Sequence, residues 1–172
     1  GTGKELVAQA LHAGSQRATR GFRAINCGAI PATLMESELF GFEKGSFTGA
    51  TRTHDGIVGQ AHGGTLFLDE ITEMPLETQP PLLRFLETRK YFRVGGTQEL
   101  STDVRVVAAT NRAPASAVRE NRLREDLYYR LFVVPIHMPP LRDRGQDVSE
   151  IAEAALLRFA REEGREFHGL SA

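Results

Sequence analysis

Four short apolar segments, separated by stretches with helical spacing, dominate the pattern of hydrophobic and polar positions along the chain. Segments of this length and composition favour β-strands, and a continuous apolar run is typical of a strand buried on both faces. The predicted strands are Phe22–Asn26, Thr65–Leu68, Val104–Ala108 and Phe132–Ile136. The last three are predicted to be buried.

Helical spacing occurs before, between and after these strands. The predicted helices are Glu5–His12, Leu34–Phe40, Leu82–Thr88, Ala115–Glu120, Leu123–Leu131 and Asp147–Glu163. Pro80 and Pro81 are compatible with a helix only in its first turn, and the glycine-rich stretch 41–56 predicts a loop or hairpin. Strands alternating with helices predict an α/β fold whose parallel sheet is covered on both faces. Ligands of such sheets bind beyond the carboxyl ends of the strands.

The composition fits a domain with a hydrophobic core. Of the 172 residues 41% are hydrophobic, and the formal net charge of −1 argues against broad non-specific binding of nucleic acid. The single cysteine, Cys27, excludes a disulfide framework and indicates a reducing setting. The apolar stretches are too short to span a bilayer and no secretion leader opens the chain, so we expect a cytoplasmic protein without membrane contact. Residue 1 is a glycine inside a motif, and we therefore expect a fragment of a longer protein.

The first five residues, Gly1-Thr2-Gly3-Lys4-Glu5, are typical of the end of a phosphate-binding loop that opens a helix. Glycine backbone N–H groups close around phosphate oxygens, the helix N-terminus adds positive potential, and Lys4 neutralises phosphate charge. Glu5 stands where a serine or threonine usually ligates magnesium. An ordinary helix start is the alternative interpretation.

Polar residues follow three of the predicted strands. Asp69 and Glu70 come directly after a buried strand, where an Asp can hold magnesium through water and a Glu can polarise an attacking water. Asn111 follows the next strand and would reach the γ-phosphate or the water; Asn26 ends the first strand at the same edge and would hold Glu70 until ligand binds. The alternatives are solvated acids at a strand end and a turn-forming asparagine.

Arg124 and Arg130 lie in a charged helical segment and have two interpretations. Such charges usually form a solvated helix face, in which Arg124 pairs locally, for instance near Asp126. An arginine presented to the nucleotide of another subunit would instead stabilise the transferring phosphoryl group. The histidines show no metal-ligand spacing among themselves or with Cys27.

Several motifs in a fixed order give the chain a resemblance to a known family. Residues 38–50, 63–70, 106–111 and 124–131 look like the central AAA+ domain of sigma-54-dependent transcriptional activators, also called bacterial enhancer-binding proteins. The hexapeptide Gly45-Ser46-Phe47-Thr48-Gly49-Ala50 is the most specific motif, because other AAA+ ATPases lack it. The resemblance implies a P-loop NTPase core with three layers, helix–sheet–helix. It makes residues 1–172 a partial AAA+ sigma-54 interaction domain without its first strand and without its helical lid, which would begin near Leu170.

The resemblance also implies a cofactor set and roles for single residues. ATP and Mg²⁺ are the implied cofactors, with Mg²⁺ held by Asp69 through water. The implied nucleotide-binding residues are Gly1, Thr2, Gly3, Lys4, Glu5 and Asp69. The implied catalytic residues are Glu70, the first sensor Asn111, the switch residue Asn26, and the arginine fingers Arg124 and Arg130. Members of the family also carry Glu after the P-loop lysine, which fits Glu5.

The implied partners are sigma-54 and the RNA polymerase holoenzyme of a bacterial cytoplasm. Residues Gly45–Ala50 would contact sigma-54, led by Phe47 and Thr48, whereas a Phe packed into its own hairpin is the alternative. The family most often has Ala where this sequence has Ser46. Arg93-Val94-Gly95-Gly96 falls in a second surface loop that resembles the supporting insertion of the family. Self-association into a ring, expected to be a hexamer, and DNA contact through a separate domain complete the implied picture.

Two other functions remain open at this point. A truncated module could present residues 45–50 without turning over ATP, and another AAA+ remodeller such as a chelatase-like ATPase is disfavoured by the hexapeptide. Because the upstream strand, the first glycine and the lid are absent from the sequence, we expect the isolated chain to bind nucleotide poorly.

Overall fold

The computed structural model describes residues 2–166. Its helices are α1 (Lys4–Ala13), α2 (Ala32–Phe40), α3 (Ile57–Gln60), α4 (Gln79–Thr88), α5 (Pro114–Arg119), α6 (Glu125–Leu131) and α7 (Asp147–Glu162). Its strands are β1 (Phe22–Asn26), β2 (Gly41–Phe42), β3 (His54–Asp55), β4 (Thr65–Asp69), β5 (Lys90–Tyr91), β6 (Leu100–Ser101) and β7 (Arg105–Ala108). Short 3₁₀ turns cover Ile71–Glu73 and Leu141–Asp143.

Strands β1, β4 and β7 form a parallel sheet in that order. The register pairs Phe22 with Thr65 at the start of β1, and Asn26 with Asp69 at its end. On the other side of β4, Leu68 pairs with Ala108. The α/β fold and the parallel sheet predicted from the sequence are therefore confirmed.

The central strand β4 is covered on both faces, as predicted. Residues 65–68 are all buried, and successive side chains point to opposite faces of a strand. On one face, Thr65 contacts His12 of α1 (Oγ1 to Nδ1, 2.9 Å) and Phe67 stacks on Phe22. On the other face, Leu66 and Leu68 belong to the main apolar core, together with side chains of α2 and α4.

Helix α4 follows directly from its sequence pattern. Both prolines lie in its first turn, where their missing N–H groups have no partner inside the helix. Leu82, Phe85 and Leu86 have the spacing of one helix face and are buried. The helix ends at Arg89, whose left-handed backbone (φ 62°) directs its N–H to the carbonyl of Phe85 at 2.8 Å.

Gln79 at the start of α4 connects three backbone segments, although it is fully buried. Its Nε2 donates to the carbonyl oxygens of Met74 (2.9 Å) and Arg122 (2.8 Å). Its Oε1 accepts the N–H of Arg124 at 2.9 Å, just before α6. This side chain therefore fixes where α6 begins relative to α4.

Two strand predictions need correction. Residues 132–136 form no strand; they follow α6 as turn and coil, with Val133 and Val134 70% and 79% exposed. A strand forms only when its backbone groups find a partner, and no described strand pairs with this segment, whatever its apolar content. The segment predicted at 104–108 is a strand, but β7 lies at the edge of the described sheet and is half-buried rather than buried.

The described residues fall into two compact units. The first, Glu5–Pro135, contains the sheet and the apolar core. The second joins the residues before Glu5 to those from Ile136 onward, and α7 within it presents no buried residue. The lid predicted to begin near Leu170 lies outside the described residues. Within residues 2–166, no helix has the length and apolar character needed to cross a bilayer.

A close glycine pair forms the base of the β2–β3 hairpin, and it yields a stability prediction. A methyl group on Gly56 would lie 2.5 Å from the Leu39 carbonyl oxygen and would also strike the backbone nitrogen of Gly41. We expect Gly56→Ala to lower the free energy of unfolding by about 2 kcal/mol or more in urea denaturation, because backbone must shift to accommodate it. Gly21→Ala is the matched control, since a methyl there meets nothing within 4 Å; equal losses in both variants would contradict this account.

Gln79→Leu tests the clamp at the start of α6. The substitution keeps most of the side-chain volume but leaves the buried carbonyl of Met74, the partly buried carbonyl of Arg122 and the N–H of Arg124 without their partner. We therefore expect a loss of roughly 2–3 kcal/mol in the same denaturation experiment. The exposed Gln98→Leu is its control. A Gln79 variant as stable as that control would show that the three hydrogen bonds contribute nothing.

Candidate functional site

The carboxyl ends of the three parallel strands are joined by backbone hydrogen bonds that continue past the sheet. The N–H of Cys27 donates to the carbonyl of Asp69 at 2.9 Å, and the N–H of Ala109 donates to Leu68 at 2.8 Å. The N–H of Ile71 donates to the carbonyl of Ala109 at 3.0 Å. The polar residues that follow β1, β4 and β7 are thereby held at one edge, as the sequence predicted.

Glu70 lies at the centre of this edge. Its backbone is left-handed (φ 51°), a conformation that non-glycine residues rarely adopt. The amide of Asn111 donates to Glu70 Oε1 at 3.2 Å, while a methyl on Gly28 would lie 2.6 Å from Oε2. The Glu70 carboxylate is therefore placed between the loop after β7 and the loop after β1.

Asn26 has a different partner from the one predicted. Its Oδ1 accepts the N–H of Gly28 at 2.9 Å, which closes a tight turn after β1. Asn111 makes the hydrogen bond to Glu70 that the sequence interpretation gave to Asn26. Asn26 thus shapes the turn beside Glu70 and does not bind its carboxylate in this structure.

Asp69 is the carboxylate available to a metal. Its Oδ1 accepts the N–H of Glu70 at 3.0 Å, which orients the side chain at the end of β4. Among residues 2–166 no group of three or more His, Cys, Asp or Glu side chains could hold a metal ion. Magnesium typically takes one or two protein carboxylates and completes its shell with water and substrate phosphate, so the donor set fits Mg²⁺ bound with a nucleotide.

Sequence reasoning missed two contacts that support this edge. Thr72 and Thr110 share a hydrogen bond at 2.9 Å, and Arg112 Nε pairs with Glu73 Oε1 at 2.8 Å. Both join the 3₁₀ turn after Glu70 to the loop after β7. The pairs are 38 and 39 residues apart in sequence, and no local pattern connects them.

Three residues of the predicted phosphate loop, Thr2, Gly3 and Lys4, belong to the second unit. Gly3 has a left-handed backbone (φ 82°), and Lys4 begins α1 with Glu5 in its first turn. Arg144 donates to the Thr2 carbonyl oxygen. The buried Thr2 hydroxyl has no hydrogen-bond partner among the described residues. Gly1 lies outside those residues.

Arg124 and Arg130 are both engaged within the chain. The Arg124 guanidinium pairs with Asp126 through two contacts of 3.1 and 2.8 Å, which lowers the pKa of Asp126. Arg130 donates to the carbonyl of Leu86 at 2.9 Å. The local pairing that the sequence left open for Arg124 is thus the one observed.

The hexapeptide Gly45–Ala50 is a tight loop at the tip of the β2–β3 hairpin. The N–H of Gly45 donates to the carbonyl of Ala50 at 2.8 Å, and the N–H of Ala50 donates to Phe47 at 3.0 Å. Phe47 is 44% exposed, and its ring meets that of Phe42 edge to face at 4.9 Å. Phe47 therefore packs on its own hairpin, which was one prediction from the sequence. It also remains partly exposed to solvent, as a contact with a partner would require.

The second surface loop, Arg93–Gly96, docks against this hairpin. Val94 donates to Gly41 at 2.9 Å and its carbonyl accepts the N–H of Glu43 at 3.0 Å. The guanidinium of Arg93 bridges Glu43 (2.7 Å) and Asp55 (2.6 Å), and the hydrogen bond to Arg93 lowers the pKa of Glu43. The bridge was not predicted, because its members lie 38 and 50 residues apart.

Cys27 provides a prediction about reactivity beside the site. Burial, followed by the negative charge of Asp69, raises the pKa of its thiol to about 12. The neutral thiol therefore persists in the folded state at pH values where the unfolded chain already forms thiolate. We expect iodoacetamide at pH 8.5 to alkylate the folded 172-residue chain at least about 100-fold more slowly than the urea-unfolded chain. Similar rates would contradict a buried, protonated thiol.

A family model and several known proteins match this chain. A family model described as "Sigma-54 interaction domain" matches residues 1–137. The regulatory protein LuxO of Vibrio cholerae serotype O1 is 56% identical over 172 residues, which are 100% of this chain and 38% of that protein. The regulatory protein AtoC of Escherichia coli K12 is 51% identical over 166 residues, 96% of this chain and 36% of that protein. The chain thus spans less than two fifths of the length of these relatives.

Solved structures support the fold. NtrX from Brucella abortus, in complex with ATP, is 40% identical with a TM-score of 0.87 over 95% of this chain and 35% of that chain. The P-loop NTPase domain of a sigma-54 transport activator from E. coli, 19% identical with a TM-score of 0.51, covers 81% of this chain and 78% of that chain, and supports the fold alone. The chain belongs to the family of sigma-54 interaction domains, with the α/β fold of P-loop NTPases.

Proposed function

We propose that this chain is part of the AAA+ domain of a sigma-54-dependent transcriptional activator, which hydrolyses ATP to remodel the closed complex of sigma-54 RNA polymerase. The observation that carries the proposal is the carboxylate of Glu70, held by Asn111 beside Asp69 at the carboxyl edge of the sheet. This is the edge where parallel sheets bind ligands.

Nucleotide binding is assigned to the start of the chain and to Asp69. Gly1, Thr2 and Gly3 would donate backbone N–H groups to phosphate, and the Lys4 ammonium would balance its charge. NtrX, a 40% identical protein, has been solved with ADP and with ATP, which supports this assignment. Asp69 would hold Mg²⁺ through water, and the ion would supply charge neutralisation at the phosphates. Glu5, which follows Lys4 in the sequence, completes the proposed set of nucleotide-binding residues.

Glu70 is the proposed general base. A carboxylate fixed by a neutral amide donor can orient a water molecule and accept its proton as the water attacks phosphorus. Asn111 holds the Glu70 carboxylate and would contact the γ-phosphate or the water. Asn26 would act on Glu70 through the turn that its side chain closes at Gly28.

Arg124 and Arg130 are the proposed arginine fingers of a neighbouring subunit. A guanidinium directed at the transferring phosphoryl group stabilises charge that develops in the transition state. Each arginine would first have to leave its present partner, Asp126 or the Leu86 carbonyl. The proposal therefore includes self-association into a ring, with a hexamer as the expected assembly.

The hexapeptide Gly45–Ala50 is the proposed contact with sigma-54. Gly45 and Gly49 have left-handed backbones, and Phe47 is the large apolar side chain of this loop that faces solvent. Phe47 and Thr48 would make the contact, with Ser46 and Ala50 beneath them. DNA contact would come from a separate domain of the parent protein.

Glu70→Gln in the full-length protein tests the proposed chemistry. The amide keeps the shape and a partner for Asn111 but cannot accept a proton, so we expect ATP hydrolysis to fall about 10²- to 10⁴-fold while binding of labelled ATP is retained. The exposed Glu77→Gln is the matched control. Hydrolysis at the normal rate in Glu70→Gln would show the mechanism to be wrong. A full-length wild-type protein that binds sigma-54 without hydrolysing ATP would favour the non-hydrolysing interaction module.

A further inference from the structure

Ser46 lies at the contact between the hexapeptide loop and the second loop. A methyl group on Gly95 would lie 2.5 Å from Ser46 Cβ and 3.2 Å from its Cα, so the two backbones are packed closely. Gly95 has a left-handed backbone (φ 73°). The second loop therefore approaches Ser46 through a position that accepts only glycine without strain.

The hydroxyl of Ser46 has nothing to bind in this arrangement. Its Oγ is buried, and no hydrogen-bond partner lies within reach among residues 2–166. Arg93 Nε, on the facing loop, is likewise buried without a hydrogen-bond partner among these residues. A polar atom that leaves water without gaining a partner disfavours the state in which it is buried.

Other contacts favour the docked arrangement. Arg93 bridges Glu43 and Asp55 through its two terminal nitrogens, at 2.7 and 2.6 Å. The N–H of Val94 donates to the carbonyl of Gly41 at 2.9 Å, and the carbonyl of Val94 accepts the N–H of Glu43 at 3.0 Å. Docking is therefore a balance between these attractive contacts and two unsatisfied polar atoms.

We propose that Ser46 is a positioning residue that weakens docking of the hexapeptide loop on the second loop, so that the loop opens and exposes Phe47 more often than it would with an apolar residue at this position. Opening returns the Ser46 hydroxyl to water, while an alanine side chain has no such gain. A residue that destabilises only the docked state raises the ratio of open to docked molecules by the factor that corresponds to this loss of free energy.

The importance of this balance for partner binding rests on the proposed function, in which Phe47 and Thr48 contact sigma-54. The equilibrium between the docked and the open loop does not rest on the proposed function. Loop opening and sigma-54 binding are therefore measured separately.

Amide hydrogen exchange in the full-length protein measures loop opening directly. The probes are the N–H groups of Glu43 and Val94, whose hydrogen bonds join the hairpin to the second loop. After correction for intrinsic exchange rates, we expect Ser46→Ala to slow their exchange about tenfold, because the docked state no longer buries an unsatisfied hydroxyl. Ser101→Ala, at an exposed position in β6, is the matched control and is expected to leave these rates unchanged.

Gly95→Ala must act in the opposite direction. The added methyl would collide with Ser46 and occupy a left-handed backbone, so we expect faster exchange at the same two amides with the global unfolding midpoint little changed. Unchanged or faster exchange in Ser46→Ala would overturn the proposal, as would slower exchange in Gly95→Ala.

Affinity for purified sigma-54 forms the second arm of the experiment. If exchange slows in Ser46→Ala and affinity falls with it, the loop balance and the proposed contact are both supported. If exchange slows but affinity is unchanged, the loop balance is supported and the contact assigned to residues 45–50 is wrong.

Discussion

The pairing of β4 on both of its edges, together with its burial on both faces, is the constraint on which the rest of the structure depends. A strand in this position cannot slip by one residue without exchanging the side chains of its two faces. Residues 65–68 are buried, so the first polar side chains emerge at Asp69 and Glu70. Their position relative to Asn26 and Asn111 is fixed by the register of β1 and by the backbone hydrogen bonds beyond β7.

The same core extends to the base of the hexapeptide hairpin. Leu39 and Phe40, the last residues of α2, are buried in the apolar cluster that contains Leu66 and Leu68. Gly41 follows at once and begins the hairpin. Since protein interiors are close-packed, a shift of β4 acts on a packed neighbour and not on a void. Packed side chains therefore connect β4 to the base of the hairpin within one compact unit.

Local features were predictable from the sequence and long-range pairings were not. The periodicity predicted helix α4, and the apolar run predicted β4 together with the two acids at its end. The bridge from Arg93 to Glu43 and Asp55, the bond from Asn111 to Glu70, and the bonds from Gln79 to Arg122 and Arg124 each join residues more than 35 positions apart. The strand predicted at 132–136 was wrong for a related reason, because strand formation depends on a partner that the segment itself does not encode.

The observed ion pair between Arg124 and Asp126 has to be compatible with the arginine-finger role proposed for Arg124. Arg124 and Asp126 are both well exposed, and ion pairs in contact with water contribute little to stability because solvent screens them and the side chains lose freedom. Such a pair keeps the guanidinium near its position and is readily exchanged for a stronger partner. A phosphoryl group carries more charge than one carboxylate and accepts planar, bidentate hydrogen bonds from arginine. Under the proposed function, local pairing in a single chain and contact with a neighbour's nucleotide would be successive states of the Arg124 side chain, so the observed ion pair is compatible with that proposal.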